Sequence, residues 1–291
     1  MTRVALIDAD ILVYRCAASL RKKEYRVHTA DGELLASGTS KKAVMEGLDG
    51  MDDLIIESRD VFDEVRFAYR AVNNMIDDIC VHTGCPTYKL FVTGNDNFRV
   101  GLATIAPYKG QRPERPRYYQ EVKDYVWSLP GIVVAEGCEA DDTIGVHSYG
   151  VPNVVICSID KDLDMLPGAH YNFVSKEEYY INEEDGMVNF YRQILTGDKI
   201  DNIMGIRGLG PVTAAKLIRL GMTQVEMYCT CLEQYEKMYA SSGSAEPRKE
   251  AARHVEENGK LLWLWRKVGD IWSPPTRDEA LANDTRTMNE S

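Results

Sequence analysis

No run of apolar residues in this chain approaches the ~20 that a membrane-spanning helix needs. The opening MTRVALIDAD turns acidic at once, with no apolar signal-peptide core and no small-residue cleavage site, so a cytoplasmic protein without membrane attachment is expected. Histidine is scarce, and His28, His82, His147, His170 and His254 make no metal-spaced set. Cysteine is odd in number at seven, which excludes a closed disulfide framework. Cys16, Cys80, Cys138 and Cys157 lie in or beside apolar stretches and read as small core residues. Cys229 and Cys231 form a C-x-C pair, but no second pair completes a zinc site. Positive charge is also short, with 34 Lys and Arg against 45 Asp and Glu and a net charge of −11. Such a deficit disfavours phosphate-binding surface, unless the acids are gathered in one place. The basic residues cluster, at Lys109–Arg117 and around Arg207–Arg219.

The acids fall where hydrophobic runs end. Asp8 closes VALID, Asp96 follows KLFVTGN, and Glu139, Asp141 and Asp142 follow GIVVAEGC. Asp160 and Asp162 follow NVVICSI, and Asp198 and Asp201 sit in TGDKIDN. Short apolar runs rich in β-branched residues read as buried parallel strands. In an open α/β sheet the carboxyl ends of such strands converge on one crevice. A lone Asp there is an ordinary turn residue or helix cap, but E-A-D-D places three carboxylates within four residues. Carboxylates crowded together repel one another unless cations are present, and hard ions such as Mg²⁺ or Mn²⁺ take oxygen ligands. The pattern predicts a two-ion site for phosphodiester cleavage.

At 291 residues, with 44% hydrophobic and 27% charged residues, the chain can bury a substantial core. Strands are expected at Val4–Asp8, Tyr88–Thr93, Ile132–Ala135, Val154–Ser158 and Tyr171–Val174, with helices at Ile11–Ser19, Val61–Thr83, Arg117–Leu129 and Asp141–Tyr149. Asp31-Gly32 predicts a hairpin within Arg26–Thr39, after a basic run of Arg21, Lys22, Lys23 and Arg26. Ser40–Asp53 reads as helix with loop, and Asn95–Pro116 as basic loop, where Pro107, Pro113 and Pro116 disfavour a long helix. From Tyr191 the composition becomes helical, with helices at Tyr191–Thr196, Gln224–Tyr239 and Glu250–Trp265. GDKIDNIMGIRGLGPVTAAKLIRLG reads as two short helices joined by a glycine turn. The fold class predicted is α/β, a mostly parallel central sheet with flanking helices and a C-terminal helical region. Residues 1–190 would form the core, with 100–130 as a distinct segment, 191–275 as the helical region and 276–291 as a flexible tail.

Ile206–Ala214 fits a helix-hairpin-helix pattern, h-x-G-h-G-x-x-x-A. Glycines let a hairpin backbone approach a phosphate, and the following helix start supplies N–H donors. Gly205, Gly208, Gly210, Thr213 and Lys216 are therefore expected to contact the DNA backbone without reading sequence.

With these residues in view, the chain resembles the structure-specific 5′ nucleases: flap endonucleases, the 5′–3′ exonuclease domains of bacterial DNA polymerases and the free-standing phage exonucleases. The matching stretches are L-I-D at Asp8, F-R and Y-K-G-Q-R within Phe98–Arg112, G-C-E-A-D-D at Gly137–Asp142, S-I-D-K-D-L-D at Ser158–Asp164 and G-D-K-I-D-N-I-M-G-I-R-G-L-G at Gly197–Gly210. They cover roughly residues 4–220 in the family's order, and the small phage exonucleases look most similar. The resemblance implies a PIN-like core and a hydrolase of DNA with a free or flapped 5′ end, and extends to RNA–DNA hybrids. Asp8, Asp96, Glu139, Asp141, Asp160 and Asp162 would hold two Mg²⁺ or Mn²⁺ ions, with Asp142, Asp198 and Asp201 completing the shell. Lys109, Arg112 and Arg99 would hold the scissile phosphate, and Tyr108 could stack on a frayed base. The segment between Asp96 and Glu139 would arch over the site, with Arg115, Arg117, Tyr118, Tyr119 and Lys123 suited to a single strand. The Gly205–Gly210 hairpin would hold K⁺. A monomer is expected, in the host cytoplasm if phage-encoded, with a replication partner unidentified.

The spacing from Asp96 to Arg99 is shorter than in many relatives, Ile159 stands where Gly or Thr is common, and the Arg26–Thr39 hairpin has no family role. A haloacid-dehalogenase-type phosphatase would use Asp8-Ala9-Asp10 and Gly197-Asp198, but leaves E-A-D-D, D-K-D and the glycine hairpin without purpose. A PIN-like ribonuclease lacks the hairpin. A non-catalytic DNA-binding protein would carry the acids as a liability at a DNA surface.

Overall fold

The computed structural model describes residues 2–48, 51 and 53–275; the tail expected over 276–291 lies outside the described residues. The chain begins β1 (Val4–Asp8), α1 (Ala9–Ser19), β2 (Arg21–His28), β3 (Leu34–Gly38), α2 (Lys41–Met45), β4 (Ile55–Phe62) and α3 (Val65–Thr83). It continues β5 (Thr87–Thr93), α4 (Phe98–Leu102), α5 (Tyr119–Trp127), β6 (Ile132–Ala135), α6 (Ala140–Ser148) and β7 (Val154–Cys157). After a 3₁₀ turn at Lys161–Met165 come β8 (Gly168–Asn172), β9 (Glu177–Ile181), α7 (Glu183–Thr196), β10 (Gly197–Asp198) and β11 (Ile203–Met204). The last helices are α8 (Pro211–Leu217), α9 (Gln224–Ser241) and α10 (Pro247–Leu262). None of the described helices is long and apolar enough to cross a membrane.

The described residues fall into two compact units, one within 2–10, 79–114 and 131–275, the other within 11–78 and 115–130. The first is built on a six-stranded sheet ordered β6-β5-β1-β7-β8-β9, parallel throughout except for the antiparallel edge pair β8–β9. Its central strand β1 is buried on both faces, which accounts for the unbroken apolar run Ala5–Ile7. Leu6, Phe91 and Ile156 of the sheet share one core with Ile144 of α6, Phe190 and Ile194 of α7, Tyr235 of α9 and Val255 of α10. The C-terminal helices bury their apolar faces in the same core as the strands.

The second unit contains a three-stranded antiparallel sheet ordered β3-β2-β4. The predicted hairpin turn is present, with Gly32 at φ 86° and its N–H on the Thr29 carbonyl. Ser40 caps α2 by accepting the Ala43 N–H at 3.4 Å. Tyr69 of α3 stacks on Tyr125 of α5 at 4.3 Å, and Asn73 donates to the same tyrosine hydroxyl at 2.8 Å. The basic run from Arg21 forms strand β2. One feature here differs from expectation: Val61 and Phe62 end β4 rather than starting α3. Most of β4 is exposed, so it has no buried face to impose an apolar alternation. In the first unit, the helix expected before the glycine turn is replaced by the β10–β11 pair. Asp198 Oδ1 there accepts the Ile200 and Asp201 N–H groups at 2.6 and 3.1 Å, an Asx turn that competes with helix.

Candidate functional site

The strand ends of the first unit bring their acids together. Asp8, 3% exposed at the end of β1, accepts from the Ser158 hydroxyl at 2.8 Å. The same hydroxyl oxygen accepts the Asp160 N–H at 3.0 Å, tying the ends of β1 and β7 to one side chain. Asp160 caps the 3₁₀ turn through the Asp162 N–H at 3.0 Å, and Gln193 of α7 donates to Asp162 Oδ1 at 2.6 Å. Glu139, the residue preceding α6, accepts from Asn97 Nδ2 at 2.8 Å, from the Tyr108 hydroxyl at 2.9 Å and from the Lys109 ammonium. Asp201 lies 2.7 Å from the Tyr108 hydroxyl, 3.5 Å from Lys109 Nζ and 3.3 Å from an Arg112 guanidinium nitrogen. The phenol carries one proton, so Tyr108 donates to Glu139 or to Asp201 at any moment. Lys109 takes a left-handed backbone at φ 56°, fixed by its N–H on the Asp201 carbonyl at 2.8 Å and by the tight turn that closes Gly110 N–H on Pro107.

These acids feel one another. Burial pushes the Asp141 carboxyl well above the usual carboxylate range, and Asp8, Asp160 and Glu139 push it further, against Lys109. Asp160 is raised by burial, partly offset by the Asp162 N–H, with Asp198 and Asp201 adding to the rise. Asp162 is pushed up to about 8 by burial, Asp160 and Asp198. Among the described residues, no three His, Cys, Asp or Glu side chains stand together as a ready metal-ligand set. The donor chemistry nevertheless fits a hard divalent cation, because the donors are carboxylate oxygens carrying more negative charge than Lys109 offsets.

Four residues expected in the site, Arg99, Asp142, Asp96 and Tyr108, have surroundings the sequence did not reveal. Arg99 and Asp142 form a buried two-point ion pair at 2.5 and 2.8 Å. Asp142 also accepts the N–H groups of Glu139 at 3.0 Å and Trp265 at 3.3 Å, and Arg99 donates to the carbonyls of Leu261 and Trp263. Both Asp142 oxygens are thus taken up by Arg99 and backbone N–H groups, and Arg99 is buried. Asp96 is exposed and its carboxylate has no hydrogen bond or ion pair among the described residues; its neighbour Asn97 reaches Glu139 instead. Tyr108 packs against the core and its hydroxyl is committed to the carboxylates, so its ring is not a free stacking surface.

The glycine hairpin is present in part. Gly205 lies so close to Thr196 and Gly197 that a Cβ would stand 2.2 Å from the Thr196 carbonyl, and Gly208 turns at φ 84°. Gly210 precedes α8, on which Thr213 and Lys216 are exposed.

Sequence reasoning passed over Ser158, Asn97 and Gln193, although Ser158 and Asn97 stand in or beside the quoted motifs. It also assigned α10 elsewhere. Glu257 of α10 accepts the Thr104 and Ile105 N–H groups at 2.7 and 2.8 Å, anchoring the loop that leads to Tyr108 and Lys109. Leu261, Leu262 and Leu264 line the same recess as Tyr108, Glu139, Asp141, Asp162 and Asp201. No local signal marks such a contact, because Thr104 and Glu257 are 153 residues apart in sequence.

Comparison with known proteins bears out the resemblance to the 5′ nucleases. A curated 5′-3′ exonuclease of Aquifex aeolicus is 33% identical over 133 residues, 39% of this chain and 46% of the relative. DNA polymerase I of Rhizobium leguminosarum is 35% identical over 107 residues, 32% of this chain and 10% of that protein. DNA polymerase I of Pseudomonas aeruginosa is 29% identical over 191 residues, 57% of this chain and 20% of that protein. The chain thus spans less than half the length of each of these relatives. No family model matches it. Among solved structures, the T5 5′-exonuclease with bound zinc aligns over 99% of this chain and 98% of its own, at TM-score 0.55 and 18% identity. A bacteriophage T5 flap endonuclease in a pseudo-enzyme–product complex with DNA and metal ions aligns over 89% of each chain, at TM-score 0.53 and 17% identity. The α/β class, a mostly parallel sheet with flanking helices, is the fold shared with these proteins.

Proposed function

We propose that this chain is a divalent-metal-dependent 5′–3′ exonuclease and 5′-flap endonuclease that hydrolyses DNA. The observation that carries this reading is the recess where buried, mutually repelling carboxylates from the ends of β1 and β7 and the start of α6 meet Lys109. Sequence relatives named as exonuclease or polymerase and a T5 structure with DNA and metal ions support the choice of substrate.

Asp8, Glu139, Asp141, Asp160 and Asp162, with Asp198 and Asp201 around them, would hold two Mg²⁺ or Mn²⁺ ions. Bound there, the ions supply an acidified attacking water and charge neutralisation at the leaving oxygen. Ser158 keeps the Asp8 carboxylate oriented, and Gln193 does the same for Asp162. Lys109 and Arg112, now paired with Glu139 and Asp201, are the cations free to exchange onto a scissile phosphate. Burial on the leucines of the α10 end limits water access to the recess. Exposed Thr213 and Lys216 behind the Gly208 turn would hold duplex phosphate, and K⁺ at the Gly205–Gly210 hairpin and activity on RNA–DNA hybrids are carried by the resemblance. A monomer acting without a membrane is part of the same reading.

The test compares a 5′-flap, a nicked duplex, a blunt duplex and an RNA–DNA hybrid, each with Mg²⁺ and with chelator. Release of 5′ fragments that depends on Mg²⁺ is the expected result. Cleavage of small phosphate esters with no action on DNA would put the phosphatase alternative in its place.

A further inference from the structure

The three-stranded sheet of the second unit has no counterpart among the motifs that carry the resemblance, yet its two faces are unlike. In the β2–β4 register Arg21 stands opposite Phe62 and Lys23 opposite Asp60, so alternation puts these four side chains on one face. The opposite face is balanced: Glu24 takes both Arg26 at 3.1 Å and Arg59 at 2.6 Å, Glu57 stands opposite Arg26, and Lys22 pairs with Asp63. Among the described residues of β2 and β4 on the Phe62 face, Asp60 is the one acid set against Arg21 and Lys23, and Arg117 lies beside Phe62. Its pair with Arg21 is solvent-exposed, with side chains 60% and 35% accessible, and such a pair exchanges at little cost.

This face is interleaved with rings. The Arg117 guanidinium lies 4.9 Å from the Phe62 centroid and 5.4 Å from that of Tyr118, and the Phe62 and Tyr118 rings meet edge to face at 6.2 Å. The cations and rings form one strip running from β2 across the end of β4 to the residues before α5. Cations that track phosphates beside rings that take bases are the makings of a single-strand surface. Duplex DNA keeps its bases stacked and offers nothing to such rings.

We propose that this strip, centred on Arg21, Lys23, Phe62 and Arg117, is a binding surface for single-stranded DNA. The choice of DNA rests on the nuclease reading; the shape and charge of the strip do not. The test is fluorescence anisotropy of a labelled oligo-dT in EDTA across a salt series, with the full chain. An Arg21→Ala/Lys23→Ala double variant should flatten the slope of log K against log salt by about 1.4, at about 0.7 per charge. Phe62→Leu should weaken binding about fivefold or more at constant salt, as loss of one stacked base does. Unchanged slope and affinity in both variants, with unfolding curves like the parent's, would overturn the proposal. So would a parent chain that binds no oligonucleotide, which would assign the strip to an acidic protein. The same proteins with Mg²⁺ on a duplex bearing a two-nucleotide 5′ end separate the two readings. Equal cleavage by parent and variants supports the strip as a distinct surface. Absence of cleavage by a parent that binds oligo-dT counts against the nuclease reading alone.

Discussion

Arg99 and Asp142 face each other as a two-point ion pair, 2.5 and 2.8 Å between their nitrogens and oxygens, with side chains 1% and 0% exposed. Asp142 holds the start of α6 and Trp265, while Arg99 holds Leu261 and Trp263, so the pair fastens the end of α10 beneath the site. Removing one partner leaves a buried charge uncompensated. Asp142→Asn is expected to cost about 3–5 kcal/mol in chemical denaturation, and Arg99→Lys to fail as a rescue because an ammonium lacks the planar fork. A variant as stable as the parent that had lost only metal binding would restore Asp142 to the metal shell.

Tyr108 offers a cleaner probe of the site. Its hydroxyl sits between Glu139 and Asp201, while its ring rests on the core. Tyr108→Phe keeps the packing and removes the hydroxyl. Metal affinity by titration calorimetry should fall about 10–100-fold, the usual effect of losing an outer partner of a ligand, with the unfolding transition little changed. Undiminished affinity would mean the hydroxyl does not orient these carboxylates.

The crowded acids also make a statement about pH. Asp162 is pushed up to about 8, with Asp141 and Asp160 raised beside it. A carboxyl raised on folding binds more protons in the folded than in the unfolded state between about 4 and its folded value, so stability falls as pH rises through that window. In chelator the melting temperature should therefore drop from pH 5 to pH 8. Mg²⁺ should recover more of it at pH 8 than at pH 5, and Asp162→Asn should flatten the dependence. A melting temperature that climbs from pH 5 to pH 8 in chelator would contradict the repulsion.

At the glycine hairpin, packing and DNA contact separate by residue. Gly205→Ala forces a Cβ to within 2.2 Å of the Thr196 carbonyl and should destabilise the fold by about 1–3 kcal/mol. Lys216→Ala is exposed and should leave unfolding unchanged, while lowering the duplex salt slope by about 0.9. An unaltered slope would remove Lys216 from the duplex interface.

The strands that carry the acids were legible because burial on both faces leaves continuous apolar runs, and the β1 and β6 ranges agree with those expected. Strand β4 was not, since its residues are mostly exposed and charged. The acids of the site were legible as chemistry, but not their division of labour. Asp142 and Asp141 are adjacent in sequence, and only the turn of α6 sends one to Arg99 and the other toward Asp8 and Asp160. Glu257 and the leucines at the end of α10 were invisible, because their partners at Thr104 and Tyr108 lie far away in sequence.

On the proposed reading the crowded carboxylates hold the cations for cleavage and are not what binds DNA. Single-turnover cleavage of a 5′-flap in Mg²⁺, with binding of the same flap in chelator, compares the parent chain with Asp160→Ala and Asp141→Ala. Cleavage is expected to vanish in both variants, with flap binding unchanged or tighter as repulsion of the phosphates is relieved. Turnover retained by either variant, or cleavage by the parent in chelator, would contradict it.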